Sequence, residues 1–179
     1  GLAGLPLALA PLPEGAPDVP EGEATFGGNA RRKAAALSRW TGGWGLADDS
    51  GLEVDALGGA PGVRSHRWAG EPPDDARNNA KLLDALASVP DDRRGAAFRC
   101  ALALAHAGEV RFETAGICRG RIARVPRGSN DFGYDPLFED PATGRTFAEL
   151  DASAKLAVSH RGAALRALRH LLAGAWGLA

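Results

Sequence analysis

Two adjacent aspartates, Asp48 and Asp49, follow the short apolar run 44–47 and precede Ser50 and Gly51. Neighbouring carboxylates repel one another, and an apolar flank makes their desolvation costly, so a compensating cation is expected beside them. Carboxylate oxygens suit Mg²⁺, and an aspartate beside a metal ion can also accept a proton from an attacking water. The alternative is a turn in which one aspartate bonds backbone amides and the other is solvated.

Four basic side chains lie next to small residues that would let a ligand approach: Lys33, Lys155, His160 and Arg161. Lys33 can hold a phosphate group as a point charge, whereas the alternative is an ordinary surface lysine on a helix. His160 and Arg161 stand at a helix start, where backbone N–H groups and side-chain donors suit an electron-rich ligand edge. In the alternative reading, Ser159 caps the helix and both side chains are solvated.

The segment 130–136, NDFGYDP, places two aromatic side chains around a glycine. An exposed Phe132 could stack on a flat heterocycle, because Gly133 removes the side chain that would block it. The alternative is a tight turn in which Phe132 and Tyr134 both pack inward. The segment therefore indicates either a heterocycle site or a structural turn.

The composition is that of a globular domain, with 45% hydrophobic and 24% charged residues among 179. A formal net charge of -1 gives no reason to expect nucleic acid as a partner, although a small anionic ligand remains compatible with local cations. No apolar stretch reaches the roughly 20 residues of a membrane span and no basic leader is found, so a cytoplasmic protein is expected. Cys100 and Cys118 lack the paired spacing of a zinc or redox motif and are interpreted as core thiols.

Periodicity and turn signals predict an α/β fold with a mixed sheet. The predicted elements are a strand over 5–10, a helix from about residue 25, strands over 43–47 and 52–57, a helix over 74–87, strands over 96–107 and 109–123, and a helix over 160–172. Thr25 is the expected N-cap of the first helix, and Gly108 marks a hairpin turn. The two aspartates are expected in a bend between two strands.

Seven segments, in this order along the chain, resemble the inosine triphosphate pyrophosphatase family. They are EGEATFGGNARRKA, LADDSGLEVDALGGAPGVRS, NNAKLL, FRCALAL, FGYDPLF, FAEL and KLAVSHRGAAL, and together they span residues 21–165. Members of that family hydrolyse inosine, deoxyinosine and xanthosine triphosphates (ITP, dITP and XTP) to the monophosphate and pyrophosphate, using Mg²⁺. They are homodimers with an elongated mixed sheet flanked by helices, two lobes and a central substrate cleft. The resemblance implies this fold and this substrate class for the present chain.

The resemblance also implies a role for each candidate residue. Asp49 would accept the proton of the attacking water with support from Asp48, and Glu21 and Asp49 would lie near the metal ion. The implied substrate-binding residues are Lys33 for the phosphates, Ser50 for the substrate, Phe132, Gly133, Tyr134 and Asp135 for the base and sugar, and Lys155, His160 and Arg161 for the purine edge. Lys155 and Arg161 only donate hydrogen bonds, which favours the carbonyl of hypoxanthine or xanthine over the amino group of adenine.

The chain departs from the family pattern in two places. The family's first strand and its Thr/Ser-Gly-Asn phosphate loop have no counterpart, because residues 1–12 resemble the stretch that follows them, so we expect a single, N-terminally truncated domain over 1–179. Gly27 and Gly28 stand where relatives carry acidic residues. Three functions stay open: a pyrophosphatase that removes non-standard purine nucleotides, a nucleotide-binding but catalytically impaired module without the phosphate loop, and a pyrophosphatase that prefers other modified nucleotides.

Overall fold

The computed structural model describes Leu2, Leu5 and residues 8–12, 14–129 and 132–177 of the chain. Helices and strands alternate irregularly within these residues. The elements are α1 (Phe26–Thr41), β1 (Trp44–Val54), α2 (Asp75–Ala85), β2 (Gly95–His106), β3 (Glu109–Ile122), β4 (Phe138–Asp140), β5 (Arg145–Thr146), α3 (Ala152–Val158) and α4 (His160–Ala175), with short 3₁₀ helices at Asp55–Leu57, Gly62–Arg67, Asp91–Arg93 and Phe147–Glu149. The predicted α/β class is confirmed.

The five strands form one sheet in the order β1-β2-β3-β4-β5. β4 runs antiparallel to β3, with Glu139 opposite Arg121, and antiparallel to β5, with Glu139 opposite Thr146. The sheet is open and antiparallel over the described strands, so the parallel pairing that a mixed sheet requires is not found in this part of the chain. Strands that follow one another along the chain are also neighbours in the sheet, which favours antiparallel pairing.

The predicted hairpin of β2 and β3 is confirmed. Its turn is formed by Ala107 and Gly108, whose φ angles of 52° and 84° are the two positive values that a tight two-residue hairpin needs. Ser38, near the end of α1, accepts a hydrogen bond from the Gly108 N–H at 2.9 Å. The hairpin turn is therefore attached to the first helix as well as to its own strands.

The predicted bend at the two aspartates is wrong, because β1 is one continuous strand that contains both Asp48 and Asp49. Its partner β2 supplies backbone hydrogen-bonding groups along this segment, and that pairing outweighs the turn tendency of an Asp-Asp-Ser-Gly sequence. Leu52 and Val54 are fully buried and Glu53 between them is half-buried, as expected where successive side chains point to opposite faces.

Three of the four helices within the described ranges match predictions from capping and periodicity. Thr25 caps α1 by accepting a hydrogen bond from the Gly28 N–H at 3.1 Å, and Asp74 caps α2 by accepting one from the Arg77 N–H at 2.8 Å. The final predicted helix corresponds to α4. α3 was not predicted, although Asp151 caps it in the same way as Asp74 caps α2.

The predicted strand over 5–10 is not observed. Pro6 and Leu7 lie outside the described residues, and Leu5 and residues 8–10 do not belong to a strand. Proline has no N–H to donate to a neighbouring strand, which weakens the strand tendency of a proline-flanked apolar segment. None of the helices in the described part of the chain is long and apolar enough to cross a membrane.

The chain divides into two compact units. Unit 1 consists of Gly1–Ser50, Cys100–Gly116 and His160–Ala179, and unit 2 consists of Gly51–Arg99 and Ile117–Ser159. This division does not test the expectation of a single domain, which stays a prediction.

Each unit has its own hydrophobic core. In unit 1, Cys100, Leu102 and Leu104 of β2 pack with Ala164, Leu168 and Leu172 of α4. In unit 2, the rings of Phe98, Phe138 and Phe147 lie within van der Waals reach of one another, with ring centroids 4.5 Å apart for Phe98 and Phe138 and 4.8 Å apart for Phe138 and Phe147. The three rings form the centre of a cluster that also includes Leu52, Leu82 and Leu86.

Both cysteines are buried free thiols, as predicted. Burial raises the pKa of Cys118 to about 11 and also raises the pKa of Cys100. A thiol with a raised pKa is protonated at neutral pH and is therefore a poor nucleophile and a poor metal ligand.

Gly116 of β3 lies against the backbone of the first turns of α4. A Cβ atom at this position would stand 2.1 Å from the carbonyl oxygen of His160 and 2.5 Å from the nitrogen of Ala164. Those atoms are main chain and cannot rotate away, so any side chain at position 116 must displace α4 from the strand.

We expect Gly116→Ala to lower the free energy of unfolding by about 1–3 kcal/mol, the usual cost of overpacking. Urea denaturation of the purified variant measures this loss. Gly174→Ala is the matched control, because a Cβ atom there meets nothing within 4 Å. A Gly116→Ala protein as stable as the parent would show that α4 does not approach β3 this closely.

Candidate active site

Asp49 and Lys33 form the centre of a polar cluster in unit 1. The Nζ atom of Lys33 donates hydrogen bonds to Asp49 Oδ1 at 2.8 Å and to Glu21 Oε1 at 2.5 Å. Asp49 is only 6% exposed, on the strand face directed toward α1. The three side chains that the sequence analysis assigned to the metal and the phosphates therefore meet at one point, which excludes the simple surface-lysine alternative for Lys33.

Asn29 completes this group, and the sequence analysis did not single it out. Its Nδ2 atom donates to Asp49 Oδ2 at 3.1 Å, and its Oδ1 atom accepts from the Glu23 N–H at 3.0 Å. The side chain is 1% exposed, and it precedes Lys33 by four residues, so both lie on one face of α1. The signal that could have identified Asn29 in the sequence is its position, one helical turn before the candidate residue Lys33. Glu21, Asn29, Lys33 and Asp49 are hereafter the Lys33 cluster.

The ionisation of the Lys33 cluster follows from its burial. Desolvation by burial raises the pKa of Asp49, and the hydrogen bonds from Lys33 and Asn29 oppose that rise only in part. Burial acts to lower the pKa of Lys33, but the hydrogen bonds to Asp49 and Glu21 outweigh it and the net pKa is raised. Lys33 therefore stays charged, and Asp49 is a stronger base than an exposed aspartate.

Asp48 points away from Asp49 and has a separate set of partners in unit 1. Its Oδ2 atom accepts hydrogen bonds from Arg161 Nη2 at 2.7 Å, from Arg161 Nε at 3.0 Å and from Ser50 Oγ at 3.1 Å. Because side chains alternate along a strand, the two adjacent carboxylates do not face each other. Each is compensated by its own cation, Lys33 for Asp49 and Arg161 for Asp48.

His160 and Arg161 begin α4, but their surroundings differ. His160 is 6% exposed, whereas the Arg161 side chain is 40% exposed while paired with Asp48. Ser159 just before them is also buried. The alternative of two solvated side chains is therefore wrong for His160.

The remaining predicted residues lie in unit 2, around residues 132–135, hereafter the aromatic loop. Phe132 is 65% exposed, Tyr134 is 4% exposed, and Tyr134 donates its hydroxyl proton to the carbonyl of Ser65 at 2.9 Å. Each alternative for this segment is thus half right: Tyr134 packs inward, and Phe132 is free to stack on a ligand. Burial raises the pKa of Tyr134 well above its usual range, so the hydroxyl keeps its proton.

Lys155 of α3 extends to the aromatic loop. Its ammonium forms an ion pair with the buried carboxylate of Asp135 and lies 5.3 Å from the centre of the Phe132 ring. An ammonium has three donors, so one contact with Asp135 leaves donors for a ligand. An exposed ring beside a cationic donor is an arrangement that suits a flat heterocycle carrying a carbonyl group.

The Lys33 cluster contains two carboxylates, Glu21 and Asp49, the donor type that a hard divalent cation prefers. Mg²⁺ takes one or two protein carboxylates and completes its coordination with waters and substrate phosphates. The oxygen atoms of Glu21 and Asp49 already converge on a single cationic nitrogen. Within the described ranges no group of three or more His, Cys, Asp or Glu side chains is arranged to hold a metal, so a closed, all-protein site is not formed there.

The buried carboxylate beside a charged lysine in unit 1 is an arrangement suited to a hydrolase acting on phosphorylated substrates. The chain belongs to the Ham1 family, whose model matches residues 4–171. This confirms the resemblance found in the sequence.

Two relatives illustrate the similarity. The dITP/XTP pyrophosphatase of Anaeromyxobacter sp. (strain Fw109-5) is 47% identical over 96% of this chain and 88% of its own length. The dITP/XTP pyrophosphatase of Desulforamulus reducens is 52% identical over 87% of this chain and 77% of its own length.

Solved structures agree with the fold. A HAM1 protein from Coxiella burnetii aligns with a TM-score of 0.82 at 45% identity, covering 89% of this chain and 82% of that protein. A nucleoside-triphosphatase or dITP/XTP pyrophosphatase from Mycobacterium abscessus aligns with a TM-score of 0.71 at 52% identity, covering 85% and 78%.

Proposed function

We propose that this protein hydrolyses dITP, ITP and XTP to the corresponding monophosphate and pyrophosphate, and so removes these nucleotides from the nucleotide pool. The observation that carries the proposal is the buried carboxylate of Asp49, held by Lys33 and Asn29, in a chain about half identical to relatives named dITP/XTP pyrophosphatase. No observation on the described residues favours the catalytically impaired module.

Asp49 is proposed as the proton acceptor for the attacking water. Its raised pKa and its burial support this role, because a desolvated carboxylate accepts a proton more readily than an exposed one. Asn29 and Lys33 orient the carboxylate from two sides. Asp48 is proposed to support the site by holding Ser50 and Arg161, the two side chains that bond its carboxylate.

Glu21 and Asp49 are proposed to hold Mg²⁺, and Lys33 to bind the phosphates. The convergence of both carboxylates on one nitrogen supports the first assignment, and the raised pKa of Lys33 supports the second, since a permanent positive charge suits a polyphosphate. When bound, Mg²⁺ would neutralise phosphate charge and polarise the bond that is cleaved.

Following the resemblance, Ser50 is proposed to bind the substrate, Lys155, His160 and Arg161 the purine edge, and the aromatic loop, Phe132 to Asp135, the base and sugar. Phe132 would stack on the purine and Lys155 would donate to its carbonyl oxygen, which adenine lacks. The exposure of the Phe132 ring and the position of the Lys155 ammonium beside it support this assignment. The family resemblance further supports a homodimer in the cytoplasm, which light scattering and cell fractionation would test.

We expect pyrophosphate release from dITP and XTP in the presence of Mg²⁺, with kcat/KM about 100-fold or more above that for dATP, because a site built of donors leaves the adenine amino group unpaired. A coupled assay for pyrophosphate over a panel of dITP, XTP, dATP and dGTP measures the preference. Equal rates on dITP and dATP would contradict the proposed specificity. Tight binding of ITP by calorimetry without product would instead identify a binding module.

A further inference from the structure

Two side chains of α2 hold both main-chain polar groups of Gly133 in the aromatic loop. The Oδ2 atom of Asp75 accepts a hydrogen bond from the Gly133 N–H at 2.8 Å, and the Nδ2 atom of Asn79 donates to the Gly133 carbonyl at 2.9 Å. Asp75 and Asn79 are four residues apart and therefore lie on one face of the helix. We call this pair the Gly133 clamp.

The Gly133 clamp acts on the residue that sets the direction of the aromatic loop. Gly133 has a φ of 57°, in the left-handed region that favours glycine, and it separates the exposed Phe132 from the buried Tyr134. The Asp135 N–H donates to the Phe132 carbonyl at 3.1 Å and closes the turn around it. Rotation about the backbone of Gly133 would therefore move the ring of Phe132 relative to Tyr134, which is fixed by Ser65.

The side-chain amide of Asn79 is oriented by its hydrogen bond to the aromatic loop and not by a contact within α2. Its Oδ1 atom is buried and has no hydrogen-bond partner among the described residues. A buried, unpaired acceptor is unfavourable, so the side chain does not serve the stability of α2. The opposite amide orientation would place the Oδ1 atom, an acceptor, against the Gly133 carbonyl oxygen, which is also an acceptor. The orientation in which Nδ2 donates to that carbonyl is therefore the favourable one.

The polar residues next to Asp75 and Asn79 bond other parts of the chain, so the contact with Gly133 is specific to this pair. Asp74 caps the helix through the Arg77 N–H. Asn78 accepts from the Ala69 N–H at 2.7 Å and donates to the His66 carbonyl at 2.8 Å, so it holds the segment before α2. In the described part of the chain, only Asp75 and Asn79 of this helix bond the aromatic loop.

We propose that Asp75 and Asn79 are positioning residues for purine recognition: by fixing Gly133 they set the position of Phe132 beside Lys155 and thereby the affinity for the base. The proposal rests on the proposed function of the aromatic loop. Because neither side chain belongs to the Lys33 cluster, their loss should change KM and leave kcat nearly unchanged.

Three variants test the Gly133 clamp, and a fourth is the control. Asp75→Ala and the isosteric Asn79→Asp each remove one bond to Gly133, and Asn79→Asp also sets a carboxylate oxygen against its carbonyl. Each should raise KM for dITP about tenfold with kcat within about twofold, since a hydrogen bond to a charged group or a carbonyl is worth about this factor. Asp75→Asn keeps a side-chain oxygen that can accept from the Gly133 N–H, so it should restore a KM near that of the parent.

Asp74→Ala is the matched control, because it removes the cap of the same helix and should lower the urea midpoint of unfolding without changing KM. Hydrogen exchange at the Gly133 amide, followed by mass spectrometry or NMR, should accelerate in Asp75→Ala and not in Asp74→Ala. Faster exchange with an unchanged KM would overturn the proposal, and so would an equal rise in KM for Asp74→Ala. If the parent released no pyrophosphate from dITP, the proposed function would fail, and calorimetric ITP affinities of the same variants would decide on the clamp alone.

Discussion

Asp49→Asn should lower kcat for pyrophosphate release from dITP by about 10²–10⁴-fold, the usual contribution of a general base. Asparagine has nearly the same shape as aspartate, but its single amide oxygen can accept from only one of the two donors, Lys33 Nζ and Asn29 Nδ2. It also cannot accept the proton of a water, and it no longer balances the charge of Lys33. A coupled pyrophosphate assay under saturating dITP measures the loss.

Asp48→Asn is the matched control for Asp49→Asn. It makes the same chemical change one residue earlier in β1, on the strand face that bonds Arg161 and Ser50. We expect a smaller loss, about tenfold, because a charge-assisted hydrogen bond is weakened and no proton acceptor is removed. If both variants lost activity equally, or if Asp49→Asn matched the parent rate, Asp49 would not be the base.

Phe138→Ala should lower the free energy of unfolding by about 3–5 kcal/mol, the range observed when a buried phenylalanine is truncated. Phe138 is fully buried and contacts the rings of both Phe98 and Phe147. These two rings belong to β2 and to a short 3₁₀ helix, so the cavity cannot close by the movement of one side chain. Urea denaturation followed by circular dichroism measures the change.

Phe132→Ala makes the same substitution at an exposed ring and is the control for Phe138→Ala. It should change stability by no more than about 0.5 kcal/mol, as is usual for surface positions, while weakening dITP binding. Phe138→Ala should thus mainly lower stability, whereas Phe132→Ala should mainly raise KM. Equal destabilisation by both would mean that Phe132 is part of the core.

The elements that the sequence predicts correctly are those with local signals. Thr25 before α1 and Gly108 between β2 and β3 each place a capping or turn residue where the chain must begin a helix or reverse direction. Such signals act over three or four residues and need no knowledge of the rest of the fold.

The error at the two aspartates arises because distant pairing decides. The aspartates at 48 and 49 lie within a strand because β2 pairs with that segment, and nothing in the local sequence reports this partner. The sequence does not single out Asn29 for a similar reason, since its part in the site depends on a hydrogen bond to Asp49, twenty residues away. The motifs identify the candidate residues. They do not show that Lys33 pairs with Asp49 and Arg161 with Asp48, which only the three-dimensional structure shows.

The continuity of β1 has a consequence for which mutations this segment can accept. A strand repeats every two residues, so one residue inserted or deleted before Asp48 would exchange the partners of the two carboxylates, bringing Asp48 to Lys33 and Asp49 to Arg161. Such a shift of register keeps every amino acid of the motif and still removes both ion pairs. The length of the stretch from Trp44 to Asp48 is therefore under tighter physical constraint than the identity of most side chains within it.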